Sequence, residues 1–74
     1  MKETKLYITF YTSAEAMATE SVCKENNIQG KLVPVPRALS AGCGIAWECS
    51  PELKDQMLEL LKTEDIEWEE CEEI

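Results

Sequence analysis

Alternating apolar and polar residues at the start of the chain predict a strand followed by a helix. Residues 5–11, KLYITFY, alternate in the way that is typical of a half-buried strand. One face would carry the apolar side chains Leu6, Ile8 and Phe10, and the other face Tyr7, Thr9 and Tyr11. Thr12 and Glu15 then have the spacing of a capping box, which predicts a helix that begins at Ser13.

The first helix is predicted to pack on the sheet through a set of small and apolar residues at helical spacing. This set is Ala14, Met17, Ala18, Ser21 and Val22. Cys23 falls off that face, so we expect it to be partly exposed. The segment NNIQG, residues 26–30, predicts the end of the helix, because Asn and Gly tolerate the left-handed conformation found there.

Two further strands follow in the middle of the chain. The segment KLVPV, residues 31–35, predicts a strand at a sheet edge, because Pro34 and Pro36 cannot donate to a neighbouring strand. Residues 45–49, IAWEC, predict a third strand with one inward face, made of Ile45, Trp47 and Cys49.

The last third of the chain predicts a helix and a final strand. Ser50 followed by Pro51 is typical of a helix start. The apolar stripe of this helix is Leu53, Met57, Leu60 and Leu61. Residues 66–70, IEWEE, predict a strand with Ile66 and Trp68 inward and acidic residues elsewhere, which suits an exposed edge.

The predicted order of elements is β-α-β-β-α-β, which with right-handed crossovers gives the ferredoxin-like α+β fold. In that fold a four-stranded antiparallel sheet carries both helices on one face, and strands two and four are the edges. The prolines and the glutamates fall on these two strands. We therefore expect one small domain over residues 1–74, with an acidic C-terminal strand or tail over residues 64–74.

The formal net charge of −8 comes almost entirely from that acidic end. Residues 64–74 contain seven acidic residues and no basic one, whereas the remaining residues are nearly balanced. Such an end disfavours nucleic acids and anionic membranes as partners, because both are polyanions. Two interpretations stay open: a solubilising strand that protects an edge, and a docking strip for a basic partner.

Targeting signals are not evident in the sequence. The N-terminal residues alternate in polarity and lack the apolar run of a signal peptide, and no stretch approaches the roughly 20 apolar residues of a membrane span. We therefore expect a cytoplasmic protein whose four cysteines are reduced thiols. In a chain this short, any chemistry is expected on a surface loop or at an interface with a partner.

Three of the cysteines have ordinary structural interpretations. Cys23 is expected to be neutral on the first helix, and Cys49 to fill the core as a small apolar residue. Cys71 lies among glutamates, whose charge disfavours a thiolate, so it is expected to be a poor nucleophile. No metal or cofactor is expected, because the chain has no histidine and its cysteines are separated by 20, 6 and 22 residues.

Cys43 differs from the other cysteines, since it lies between Gly42 and Gly44 in a connection that is longer than a tight hairpin needs. The glycines leave the sulfur uncovered, and the backbone N–H groups of SAGCG could converge on an anion. Arg37, the only charged residue between residues 32 and 47, could favour a thiolate or persulfide. The alternative is that the glycines only shape a bulged loop and that Arg37 is an ordinary solvated charge.

The absence of histidine also bears on the type of chemistry. A self-contained thiol hydrolase would need a general base, which this chain does not offer in its usual form. A thiol that only carries a group needs ionisation and exposure, and it fits the loop better.

The segments YITFYTSAEAMATE and GKLVPVPRALSAGCGIAWEC resemble a family of very small bacterial proteins described as selenium/sulfur carrier-like. The resemblance extends from about Lys5 to Trp68, and its specific part is Pro34 to Gly44. It implies that Cys43 bears a persulfide or selenide, supported by Arg37, Ser40 and the neighbouring glycines. The chain lacks the C-P-x-P motif at a helix start that is typical of well-established persulfide-relay carriers.

Two classes of function follow. The first is a sulfur or selenium carrier that accepts sulfur on Cys43 from a cysteine desulfurase-type donor and passes it to an acceptor enzyme. The second is a non-catalytic interaction or regulatory module, in which the VPVPR edge and the acidic edge bind partners and Cys43 has no special role. A homodimer, formed through sheet edges or through Tyr7 and Tyr11, is compatible with either class.

Overall fold

The structure is a computed structural model and describes residues 4–39 and 44–74. Within these residues, four antiparallel strands form one sheet in the order β2-β3-β1-β4, accompanied by two helices. The predicted α+β class and the ferredoxin-like arrangement are therefore confirmed. The elements in chain order are β1 (Leu6–Thr9), α1 (Ser13–Glu25), β2 (Lys31–Pro34), β3 (Ile45–Cys49), a 3-10 turn (Pro51–Leu53), α2 (Lys54–Thr63) and β4 (Glu70–Glu73).

The core lies on the face of the sheet that the alternating pattern of β1 and β3 predicts. Ile8 of β1 is opposite Trp47 of β3 and also opposite Cys71 of β4. Leu32 of the edge strand β2 is opposite Trp47 as well. The fully buried members of this core include Leu6, Ile8, Phe10, Ala16, Cys23, Met57 and Leu61. Both helices thus pack on one side of the sheet, and the predicted edge positions of β2 and β4 are confirmed.

Helix α1 begins and ends where the sequence predicts. The backbone N–H of Thr12 donates to Oε1 of Glu15 at 3.1 Å, so Glu15 contributes to the capping interaction at Ser13. At the other end, Asn27 takes the left-handed conformation with φ of 57°. The N–H of Ile28 then donates to the Cys23 carbonyl at 2.8 Å, which turns the buried Ile28 side chain back into the core.

The face of α1 that packs on the sheet is not the predicted one. The buried residues are Ala16, Thr19 and Cys23, whereas Met17 is 62% exposed. Ala14, Ala18 and Ser21 are exposed too, and Val22 is partly buried. Thr19 can be buried because its hydroxyl donates to the Glu15 carbonyl at 2.9 Å, which satisfies the polar group within the helix.

The prediction of a partly exposed Cys23 is wrong for the same reason. Its sulfur is completely buried and lies 3.6 Å from Sδ of Met57 on α2. The helix therefore has two stripes at helical spacing, and the one with fewer strongly apolar residues faces the core.

The second helix agrees with its prediction, with a 3-10 turn at its start. Ser50 is extended, Pro51 opens the turn, and α2 follows from Lys54. Met57 and Leu61 are buried, and Leu53 and Leu60 pack against the core.

The last strand lies four residues later than predicted, at Glu70–Glu73 instead of residues 66–70. The N–H of Ile66 donates to the Leu61 carbonyl at 2.9 Å, so it completes the end of α2 and is not available to a sheet ladder. Pairing with β1 starts only where the N–H of Glu69 donates to the Thr9 carbonyl at 2.7 Å. Ile66 and Trp68 still contribute to the core, as predicted, but from the connection that precedes the strand.

None of the helices in the described residues has the length and apolar character needed to cross a membrane.

Candidate functional site

The predicted site belongs to the connection between β2 and β3. Ser40, Gly42 and Cys43 lie outside the described residues, so the structure describes this site through Arg37 and Gly44 only.

Arg37 is exposed within a turn that follows β2. The N–H of Leu39 donates to the Pro36 carbonyl at 3.0 Å, which closes the turn around Arg37. The Arg37 guanidinium forms no ion pair with any residue of the described ranges. The ion pair found there joins Lys31 and Glu48, whose charged atoms are 3.8 Å apart. The positive charge of Arg37 is therefore not neutralised by the described part of the protein.

Gly44 closes the connection on the β3 side. It takes the left-handed conformation with φ of 73°, and no other residue of the described part of the chain would lie within 4 Å of a Cβ placed there. Its carbonyl accepts from the Val35 N–H at 3.2 Å, so the β2–β3 ladder continues by one step beyond Pro34. A glycine is favoured at residue 44 because of its backbone conformation and not because of crowding.

The strand register places this connection at the same end of the sheet as two other segments. Thr9, at the end of β1, is opposite Ala46 of β3 on one side and Glu70 of β4 on the other. The start of α1 and the α2–β4 connection, residues 64–69, therefore lie at the end of the sheet where the β2–β3 connection also lies. This end is the one that carries the candidate site.

The cysteines of the described residues are all shielded. The pKa of the Cys23 thiol is raised to about 11, mainly by burial and to a smaller extent by the nearby Cys49. Burial is also the main cause that raises the pKa of Cys49 to about 11, and the Trp47 indole partly offsets this rise. The indole N–H of Trp47 is buried and has no hydrogen-bond acceptor within residues 4–39 and 44–74. The core position predicted for Cys49 is confirmed, with 5% of the residue exposed.

Cys71 is half-buried on β4, opposite Ile8. Burial is the largest cause that raises the pKa of its thiol, Lys54 lowers it, and Glu72 raises it. From the sequence, neighbouring glutamates alone were expected to suppress the ionisation of this thiol. The structure adds that desolvation matters more.

In residues 4–39 and 44–74 no three histidine, cysteine, aspartate or glutamate side chains are grouped so that they could hold a metal ion.

A surface feature at the same end of the sheet was not predicted from the sequence. Two hollows share the segment 65–67 as part of their lining, and they are otherwise lined by Tyr11, α1, the end of α2 and Trp68. Ile66 and Trp68, two apolar residues within an acidic segment, were the available signal, but they were interpreted as inward residues of a strand.

The chain matches a family model over residues 5–73, and the description of that family is "Putative Se/S carrier protein-like". The match covers nearly the whole chain, so the protein belongs to this family, as the resemblance at Pro34 to Gly44 indicated. The family description supports a carrier role at the level of the family. Comparisons with curated proteins and with solved structures gave no significant match.

Proposed function

We propose that the protein carries sulfur or selenium on Cys43 and transfers it between two enzymes. The main support for this proposal is that the other three cysteines are shielded. Cys23 and Cys49 are buried with a pKa of about 11, and Cys71 is half-buried with a raised pKa. A carrier thiol must ionise near neutral pH and be reached by a partner, and these three thiols are poorly suited to that role.

The transfer step conserves atoms and electrons. The Cys43 thiolate attacks the outer sulfur of a persulfide on the donor; the new bond joins the Cys43 sulfur to that outer sulfur, and the donor's sulfur–sulfur bond breaks. The donor cysteine leaves as a thiolate, the proton of the donor persulfide stays on the transferred sulfur or passes to solvent, and no external oxidant or reductant is needed. Delivery to the acceptor repeats the step with the acceptor thiolate as the attacking group. The selenium version replaces the outer sulfur with selenium.

Arg37 is proposed to stabilise the anion on Cys43. It is exposed, it has no ion-pair partner in the described residues, and it belongs to the same connection. A cation near a thiolate or perthiolate lowers its pKa and so raises the ionised fraction at neutral pH. Backbone N–H groups around Ser40, Gly42 and Gly44 are proposed to add to this effect.

The partners in this proposal are a cysteine desulfurase-type donor and an acceptor enzyme. The cytoplasm suits such a carrier, because its reducing conditions keep a free thiol available. No general base on this chain is required, since the attacking group is already an anion.

The test is sulfur loading followed by intact mass spectrometry. The protein is incubated with a cysteine desulfurase and cysteine, and in parallel with a small-molecule persulfide. Wild-type protein is expected to gain about 32 Da, removable by a reducing thiol, and the Cys43→Ala variant to gain nothing. The matched control, Cys71→Ala, removes the one half-buried cysteine of the described residues and is expected to load like wild type. An absent adduct, or one that persists in Cys43→Ala, would contradict the proposal.

A non-catalytic interaction module is the second candidate, and the exposed apolar face of α1 favours it, since Met17 is 62% exposed beside Ala14 and Ala18. Alkylation kinetics separate the two candidates. A carrier requires that Cys43 react faster than Cys71 at neutral pH, whereas equal or slower reaction of Cys43 would favour the module.

A further inference from the structure

The exposed stripe of α1 is the first of three features that point to a docking surface. Ala14, Met17 and Ala18 lie at helical spacing and are exposed, although they are the residues whose pattern suggests a buried face. Scattered apolar residues on a surface are ordinary, but an apolar stripe next to a hollow is typical of a surface that another molecule covers.

The second feature is the pair of hollows beside this stripe. One, of about 420 Å³, is lined by Ala14 and Ala18 of α1 on one side. The other, of about 390 Å³, is lined by Tyr11, Leu61 and Trp68. Asp65, Ile66 and Glu67 line both hollows, so the two hollows adjoin at the segment 65–67. Tyr11 is 55% exposed, which leaves its ring accessible at the mouth.

The third feature is the charge around the apolar surface. Glu15, Glu64, Asp65 and Glu67 line the hollows, and Lys62 is the one basic residue among the lining residues. Glu64, Asp65 and Glu67 are exposed and form no ion pair within residues 4–39 and 44–74. An apolar centre with a charged rim is the usual layout of a protein interface, and unpaired carboxylates attract lysine and arginine.

We infer that these residues form a docking groove for a partner protein that presents apolar side chains flanked by lysine or arginine. The groove consists of Tyr11, which precedes α1, of the α1 residues Ala14, Glu15 and Ala18 with Met17 exposed beside them, and of residues 64–68. It lies at the same end of the sheet as Arg37 and Gly44, so a partner seated there approaches the end of the sheet from which the β2–β3 connection extends. The assignment of this partner as the protein that exchanges sulfur with Cys43 rests on the proposed function.

The charge of the groove also disfavours a symmetric pair of chains as the occupant. In a two-fold dimer the same patch meets itself, which would bring Glu64, Asp65 and Glu67 of one protomer against those of the other. Like charges in such an interface are unfavourable, and nucleic acids and anionic membranes are repelled in the same way.

The test uses backbone amide NMR and two designed helical peptides. One peptide carries leucines on one face and lysines on the rest, and the other has glutamates in place of the lysines. The full chain is titrated with each. The basic peptide is expected to shift the amides of Ala14, Met17, Ala18, Ile66 and Trp68, with an effect that weakens as salt is raised, and the acidic peptide to shift none of them.

Charge reversal supplies the matched variants. Glu64→Lys with Glu67→Lys is expected to weaken binding of the basic peptide by at least about tenfold. Glu25→Lys with Glu52→Lys makes the same change in net charge at the opposite end of the sheet and is expected to leave the affinity within about twofold. All four positions are exposed, and thermal melting checks that both variants stay folded.

Three results would overturn the inference. The first is that the basic peptide shifts no amide signals in the groove. The second is that both charge-reversal pairs weaken peptide binding equally. The third is that the groove signals shift with protein concentration in the absence of peptide, which would make a second copy of the chain the occupant. The peptide titration does not involve the thiol, so Cys43→Ala is expected to bind the peptide like wild type. Failure of sulfur loading and failure of the docking groove are thus observed separately.

Discussion

At the scale of single residues, the environment of each sulfur determines its chemistry. Burial against the apolar side of the sheet raises the pKa of Cys23 and Cys49 to about 11. These thiols remain protonated at neutral pH and behave as small apolar side chains. The sulfurs of Cys23 and Met57, 3.6 Å apart, join the two helices in the centre of the core.

The raised pKa values predict that stability falls in alkali. An acidic group whose pKa rises on folding binds its proton more tightly in the folded state and so stabilises the fold while it is protonated. For these thiols the stabilisation is complete below the ordinary pKa of 9.0 and is lost as the pH rises towards about 11. We expect the melting temperature to decline from about pH 9 to about pH 11. The Cys23→Ala variant should show a shallower decline, which separates the thiol from Tyr7, whose pKa is raised by its hydrogen bond to Glu48. A decline as steep as in wild type would contradict this account.

Two glycines offer a matched pair of substitutions. A Cβ at Gly30 would clash with Cζ2 of Trp47 and lie 2.8 Å from the Glu48 carbonyl oxygen, whereas a Cβ at Gly44 would meet no atom of the described residues within 4 Å. We expect Gly30→Ala to lower the free energy of unfolding by about 2 to 3 kcal/mol and to change the Trp47 near-ultraviolet circular dichroism. Gly44→Ala should cost about 1 kcal/mol through its left-handed backbone and leave that signal unchanged. An unperturbed Trp47 signal in Gly30→Ala would contradict the crowding.

At the scale of elements, α1 shows where pattern alone misleads. Its residues are mostly small, so more than one face satisfies helical spacing, and the face that is richer in strongly apolar residues is not the buried one. Packing determines which face of α1 is buried. Ala16 allows close approach to the sheet, the Thr19 hydroxyl donates to a backbone carbonyl within the helix, and Cys23 contacts Met57. None of these contacts can be derived from the helix sequence by itself.

Truncating two methionines tests which face of α1 is free. Met57 is fully buried, and Met57→Ala is expected to lower the free energy of unfolding by about 2 to 5 kcal/mol. Met17 is 62% exposed, and Met17→Ala is expected to change it by no more than about 0.5 kcal/mol. Urea denaturation measures both. A large loss in Met17→Ala would show that this side chain packs within the protein.

The position of β4 was missed for a local reason. Asp65 takes the left-handed conformation with φ of 57°, and the N–H of Ile66 returns to α2. Spacing of apolar residues cannot reveal that the chain first completes the helix end and only then joins the sheet. By contrast, β3 and the start of α1 were predicted correctly, because alternation and a capping pair are strong local signals.

At the scale of the whole molecule, the order of elements was sufficient to predict the topology. Right-handed crossovers, together with prolines and glutamates that mark the two edge strands, are compatible with one order of the strands in the sheet. The observed order, β2-β3-β1-β4, is the predicted one. The candidate site was predicted as a loop from Arg37 to Gly44. The groove at the same end of the sheet could not be predicted, since it depends on how α1, α2 and residues 64–68 meet in space.

The most direct test of the carrier function is to follow labelled sulfur through one cycle. The protein is loaded by a cysteine desulfurase from cysteine that contains heavy sulfur, separated from the donor, and mixed with an excess of an acceptor thiol while intact masses are recorded. We predict that the label appears on Cys43, leaves it with time, and is recovered as a persulfide of the acceptor. No label on Cys43, or a label that the acceptor cannot remove, would contradict the account.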